Sequence, residues 1–305
     1  MSGFLLAHFL PGEREDGERV RLAVSEGATP ESFLPLPVEV PVPTVGEGGA
    51  RDPFLVRDAA TGGVVLLATD LRTWPDDDWH RAVRRGSRSI LVWRSDDLVS
   101  WGGASLHEVA PESAGNAWAP KAYWSTERDR WLVFFSAGLF APESDRAVAA
   151  HQRILVVETA DFAAFSPARV ALDTGRDVID AAFLDRGDEW LRFTVEAEAD
   201  GGPTAITLAR GPSLEGAFET VRTGIGTPEL AHGEGPAVAV SPDGERTWLL
   251  IDEFGLRGYR VFVSDDPRTG AFEPVGGARL PADARHGSLL ALEHDEAERL
   301  RTLVR

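Results

Sequence analysis

Residues 51–56 read RDPFLV, in which Asp52 and a proline open a short apolar run, and an opener that is polar or aromatic and followed by a small or Pro residue returns four times. The later copies are WAPKAYW at 118–124, IDAAFL at 179–184, EGPAVAV at 234–240 and HGSLLAL at 286–292. Asp52, Trp118, Asp180, Glu234 and His286 head these runs at intervals of 66, 62, 54 and 52 residues, each long enough for a small antiparallel sheet. If every opener begins the innermost strand of one propeller blade, all five point into a common axial funnel. The expectation is an all-β, five-bladed β-propeller.

A second repeated tag supports that count. Each of the five units carries a strand, then a bend of small, acidic, Gly or Pro residues, then an aromatic: Phe33, Trp101, Phe165, Phe218 and Phe272. Such a hairpin aromatic suits packing between neighbouring blades and needs no chemistry. The two ends predict how the ring closes. GFLLAHFL and RVRLAVSEG near the N-terminus lack an inner strand, and HGSLLALEHDEAERL near the C-terminus supplies one, so ring closure joins the N-terminal strands to the C-terminal strand in one blade.

Composition narrows the alternatives. Gly (31) and Pro (20) are scattered at turns and no linker interrupts the chain, so residues 1–305 read as a single catalytic propeller domain. A net charge of −18 argues against nucleic acid and anionic membrane surfaces as partners. The absence of cysteine excludes disulfides, thiolate nucleophiles and Cys-ligated metals. The N-terminus has neither a basic start nor a small-residue cleavage site, and no run of about 18 apolar residues occurs. A complete chain is therefore expected in the cytoplasm, and a trimmed one would belong to a secreted protein. Oligomeric state is not legible.

Taken in order, RDPFLVRD, SRSILVWRSDDLVSW, AWAPKAYW, VIDAAFLDRGDEWLRFT, GEGPAVAVSPDGERTWLLIDEFG and RHGSLLAL resemble glycoside hydrolase family 43 over nearly the whole chain. The resemblance implies an inverting glycosidase acting on a small-molecule or oligosaccharide substrate. Asp52 matches the family's general base, which activates water on the far side of the sugar. Glu234, between Gly233 and Gly235, matches the general acid. Asp180 matches the third carboxylate that orients the acid, with Asp177 as a nearby rival. Trp118 offers an indole face for stacking on a sugar. Lys121 stands where relatives commonly carry Glu, and it is read with Arg285 and His286 as a substrate contact. His286 also matches a histidine that in some members touches a central ion, so no cofactor is required, but a structural calcium on the funnel axis is an open expectation.

The leading activity is release of terminal α-L-arabinofuranosides from plant-type oligo- or polysaccharides. The alternatives are a β-xylosidase or arabinanase of the same family, a retaining propeller of the fructan and sucrose class, and a noncatalytic sugar-binding propeller.

Overall fold

The computed structural model describes residues 2–58, 61–197 and 204–305. Their strands form five four-stranded antiparallel sheets, the blades of a five-bladed β-propeller. The chain divides into two compact units, one made of Phe9–Val20 with Val40–Ala181 and the other of Met1–His8, Arg21–Glu39 and Ala182–Arg305.

The first unit holds two sheets, Ala50–Arg57, Val64–Asp70, Ser89–Ser95 and Ser105–Glu108, then Trp118–Ser125, Arg130–Gly138, Gln152–Thr159 and Arg169–Leu172. Apolar residues at alternate positions make one core, with Val65, Leu67 and Val92 of the first sheet in a cluster with Trp131, Val133, Phe135 and Leu155 of the second. A buried carboxylate braces this unit. Glu18 is 0% exposed, and it accepts hydrogen bonds from the Thr73 amide (2.8 Å) and hydroxyl (2.9 Å) and from the Trp74 amide (3.2 Å). Arg51 adds a charged partner at 3.4 Å, as burial of an ionised group demands.

In the second unit the strand order Arg285–Leu292, Gly3–Phe9, Arg21–Ser25, Phe33–Pro35 is the ring closure expected from the two ends. The C-terminal segment does more than supply a strand. His294–Thr302 is a helix with a capping box between Glu293 and Glu296. From that helix Arg301 donates to the carbonyls of Ser2 (2.9 Å), Ser25 (2.9 Å) and Gly27 (2.7 Å) and ties the chain's two ends together.

The hairpin aromatics behave mostly as expected. Phe272 meets Phe193 of the preceding blade and Phe165 meets His107, at centroid separations of 5.9 and 5.4 Å. Phe218 instead packs on Phe183 of its own sheet.

All five openers lie in the strand at one end of the order of its sheet. Their backbones share a further device. Register slips between Arg51 and Phe54, between Trp118 and Lys121, and between Glu234 and Ala237 mark a bulge at the start of three of these strands. Asp52, Ala119, Asp180 and Gly235 take left-handed φ values of 53°, 50°, 59° and 58° at the equivalent place. Trp118 and Glu234 therefore correspond to Arg51, one residue ahead of the aspartates. A plain count of openers sets them level.

Candidate active site

Two clusters of ionisable groups sit at these strand starts, one in each unit. The first is built around Asp52. Its Oδ2 accepts a hydrogen bond from the Thr69 hydroxyl at 2.6 Å, and the same hydroxyl accepts the Ala119 amide at 2.7 Å. Because that oxygen is occupied as an acceptor, its proton is committed to Asp52, which fixes the carboxylate's direction. Thr69 is fully buried on the strand Val64–Asp70.

Asp180 is 3% exposed and its amide donates to the Ser136 hydroxyl at 3.1 Å. Lys121, 4% exposed, donates to the Asp180 carbonyl at 3.2 Å. Burial draws the Lys121 pKa below its ordinary value, and the nearby Asp180 and Asp52 carboxylates oppose that shift. The side chain is thus enclosed by protein. Its immediate partners are the two aspartates on which the resemblance places catalytic roles.

Around the same strands stands an aromatic group. Arg51 lies with its guanidinium 4.7 Å from the ring of Trp79 and 4.9 Å from that of Phe9. Trp79 is 40% exposed and meets the half-buried Trp118 edge-on at 6.3 Å. It opens the helix Trp79–Arg85, capped by Asp78, whose carboxylate accepts the Arg81 amide at 2.9 Å. Trp79 is a candidate sugar contact with no sequence signal of its own, since it follows the acidic run Asp76, Asp77 and Asp78 rather than opening an apolar strand.

The second cluster is built around Glu234. Arg285 bridges two carboxylates, with Nη2 donating to Glu234 Oε1 and Nε to Asp252 Oδ2, both at 2.6 Å. The His286 ring lies 3.3 Å from Glu234 through Nε2, and its amide donates to Asp252 Oδ2 at 3.1 Å. Asp252 is 0% exposed. Burial raises its pKa, Arg285 and His286 counteract this, and Glu234 reinforces it. It comes from the apolar run TWLLIDE, where its place opposite Glu234 in the register carries no sequence signal.

The glycines beside Glu234 have packing reasons. A Cβ on Gly235, at φ 58°, would fall 2.1 Å from the His286 side chain, and one on Gly233 would fall 2.5 Å from Ile251. Tyr259 completes the corner by donating to the Gly235 carbonyl at 3.0 Å and accepting the Gly287 amide at 2.8 Å.

Ligand atoms of Glu234, Asp252 and His286 lie within 4.8 Å of one another, which meets the spacing for a cation. Arg285 already spans both of these carboxylates, so an ion among the three would face a guanidinium holding its ligands. The donor set does not fit a directly bound calcium.

Comparison with known proteins gives the family. A family model described as a probable glycosyl hydrolase domain, of the group related to glycoside hydrolase family 43, matches residues 1–298. An α-L-arabinofuranosidase of Bifidobacterium longum subsp. longum is 28% identical over 184 residues, which cover 55% of this chain and 17% of that protein. Among solved structures, a thermostable family-43 glycoside hydrolase aligns with a TM-score of 0.54 at 17% identity, covering 79% of this chain and 76% of the other. The α-L-arabinofuranosidase of Podospora anserina, solved with cellotriose, aligns at 0.53 and 14% identity over 80% and 72%. An endo-1,4-β-xylanase of Bacteroides thetaiotaomicron aligns at 0.59 and 10% identity over 91% and 95%. At these identities the structures speak for the fold alone, and the family match carries the assignment. The chain belongs to the glycoside hydrolases related to family 43 and is a glycosidase.

Proposed function

We propose that this glycosidase removes terminal pentoses with inversion, and that its substrates are α-L-arabinofuranosides of plant-type oligo- or polysaccharides. In this reading Asp52 takes a proton from water as the water oxygen bonds to the anomeric carbon. The glycosidic C–O bond breaks on the other side, and Glu234 passes its proton to the departing oxygen. Thr69 orients the base, Asp180 supplies the third carboxylate, and Arg285 is placed to take up the negative charge left on Glu234. Trp118, with Trp79, offers indole surface to the sugar. No step requires a metal.

The observation that carries the proposal is the burial of Asp180, Lys121, Asp252 and His286 at or beside the starts of inner strands, each at most 7% exposed. Burying charge costs free energy, and several buried ionisable groups gathered around the residues matched to the family's acids favour a site of chemistry over a single structural ion pair such as Glu18–Arg51. The match to an arabinofuranosidase supports the choice of sugar, although this chain spans only 17% of that relative's length. Nitrophenyl α-L-arabinofuranoside, nitrophenyl β-D-xylopyranoside and linear arabinan, assayed in parallel, test the substrate. The first should be hydrolysed fastest, and NMR of the first-formed sugar should show inverted configuration. Preference for the xyloside, or retention, would overturn the respective part of the reading.

A further inference from the structure

Lys121 lies within the first cluster, and the hydrolytic reading assigns it no step. Its burial is nearly complete, and the charges that reach it are those of Asp180, from the strand Val178–Asp185, and Asp52, from Ala50–Arg57. The strands Val64–Asp70 and Arg130–Gly138 bring uncharged hydroxyls to the two aspartates, Thr69 to the Asp52 carboxylate and Ser136 to the Asp180 amide. Arg51, next to Asp52, is engaged by Glu18 and by the rings of Phe9 and Trp79. Asp70, at the end of its strand, accepts the Glu47 amide at 2.7 Å.

We propose that Lys121 is a positioning residue whose ammonium offsets the paired charge of Asp52 and Asp180 and so sets the pH range in which the base works. This inference rests on the roles proposed above for those carboxylates. One ammonium beside two carboxyl groups offsets their mutual repulsion, and removing it leaves the pair to oppose each other's charge next to the buried Asp180. The attachment is also mechanical. The Ala119 amide sets the Thr69 hydroxyl that aims Asp52, and two residues later Lys121 holds the Asp180 carbonyl, so one short strand start serves both carboxylates.

The test compares wild type with Lys121→Met and Lys121→Arg. Thermal melting establishes folding, and kcat/KM on nitrophenyl α-L-arabinofuranoside is followed against pH. In parallel, the carboxyl signals of ¹³C-aspartate-labelled protein are titrated without substrate. Methionine should move the acid limb of the rate profile, and the matching carboxyl midpoints, upward by about 1 to 3 pH units, while arginine should hold them near the wild-type position. The proposal is overturned if methionine slows the enzyme evenly at every pH with the midpoints unmoved, or if arginine shifts the limb as far as methionine does. Should Lys121→Met fail to fold, Lys121→Gln is read by the same criteria. A wild-type protein inactive on every pentoside would remove the functional reading, and the carboxyl titration would still decide on Lys121.

Discussion

The two clusters neutralise their carboxylates by different cations, and the difference separates what each can do. Around Glu234 the cation is Arg285, whose planar fork bonds two acids at once and whose charge is permanent. Around Asp52 it is Lys121, a compact ammonium held by a main-chain carbonyl and shared between two carboxylates through space. Guanidinium geometry fixes distances, whereas an enclosed ammonium mainly contributes charge that burial can modulate. The proposed acid is thus held by one arm of a guanidinium whose other arm holds Asp252, and the proposed base by a hydroxyl relay in a tuned field.

Removing the reacting groups should divide the clusters most sharply. Asp52→Ala is expected to lower kcat/KM by about 10²–10⁴-fold on every substrate, because water then lacks its base. Glu234→Ala should match that loss on oligosaccharides and fall far less on aryl glycosides with good leaving groups, which scarcely need a proton. Equal losses on both substrates would erase the distinction between the clusters.

Arg285→Ala tests the clamp. It leaves the fully buried Asp252 without its guanidinium, so unfolding measurements should show a loss of about 3–5 kcal/mol. The sign with pH follows from the raised Asp252 pKa. A carboxyl with a higher pKa folded than unfolded weakens the fold as pH climbs from about 4 through the folded value, so the variant's deficit should widen with pH. A deficit independent of pH would mean that Asp252 does not depend on the arginine.

Thr69→Val tests the relay on the other side. It keeps the shape and removes the hydroxyl between the Ala119 amide and Asp52, and kcat should fall about tenfold while KM changes little, as expected of one hydrogen bond to a charged group. A rise in KM alone would turn Thr69 into a substrate contact.

The smallest effect serves as a surface reference for both clusters. Asp173, 39% exposed, is held well below the usual carboxylate range by the Gly175 amide first, then by Arg153 and His151. A lowered pKa stabilises the fold above the unfolded value of about 4, and that contribution fades as pH falls from there through the folded value. Asp173→Asn should therefore cost less than about 1 kcal/mol near pH 6, a difference that shrinks steadily as pH drops below about 4.

Asp52, Asp180 and Glu234 were legible because Asp-Pro, Ile-Asp-Ala and Gly-Glu-Gly-Pro open apolar runs at blade-length intervals, and backbone punctuation survives in the order of residues. Thr69, Asp252 and Trp79 were not. Thr69 sits in GVVLLATD and Asp252 in TWLLIDE, stretches that alternate or run apolar like any strand, and nothing local distinguishes a hydroxyl or carboxylate that meets a partner 17 or 18 residues away. Gly235 was noticed, but its purpose was not, since the side chain it makes room for is His286, 51 residues on. The helix His294–Thr302 carries its capping box in Glu293 and Glu296, but that short signal stands directly behind the stronger apolar run of the last strand.

The sequence by itself determined the blade count, the all-β class, the closure of the ring through both ends and the strand starts that carry Asp52, Asp180 and Glu234, because hydrophobic period and turn residues act over a few neighbours. Only the tertiary structure decided how those acids are neutralised. Arg285 reaches back 33 residues to Asp252 and 51 to Glu234, and Lys121 reaches 59 ahead to the Asp180 carbonyl, which brings its charge near that carboxylate. Which cation meets which carboxylate depends on how separate strands are brought together, and burial then sets the strength of the encounter.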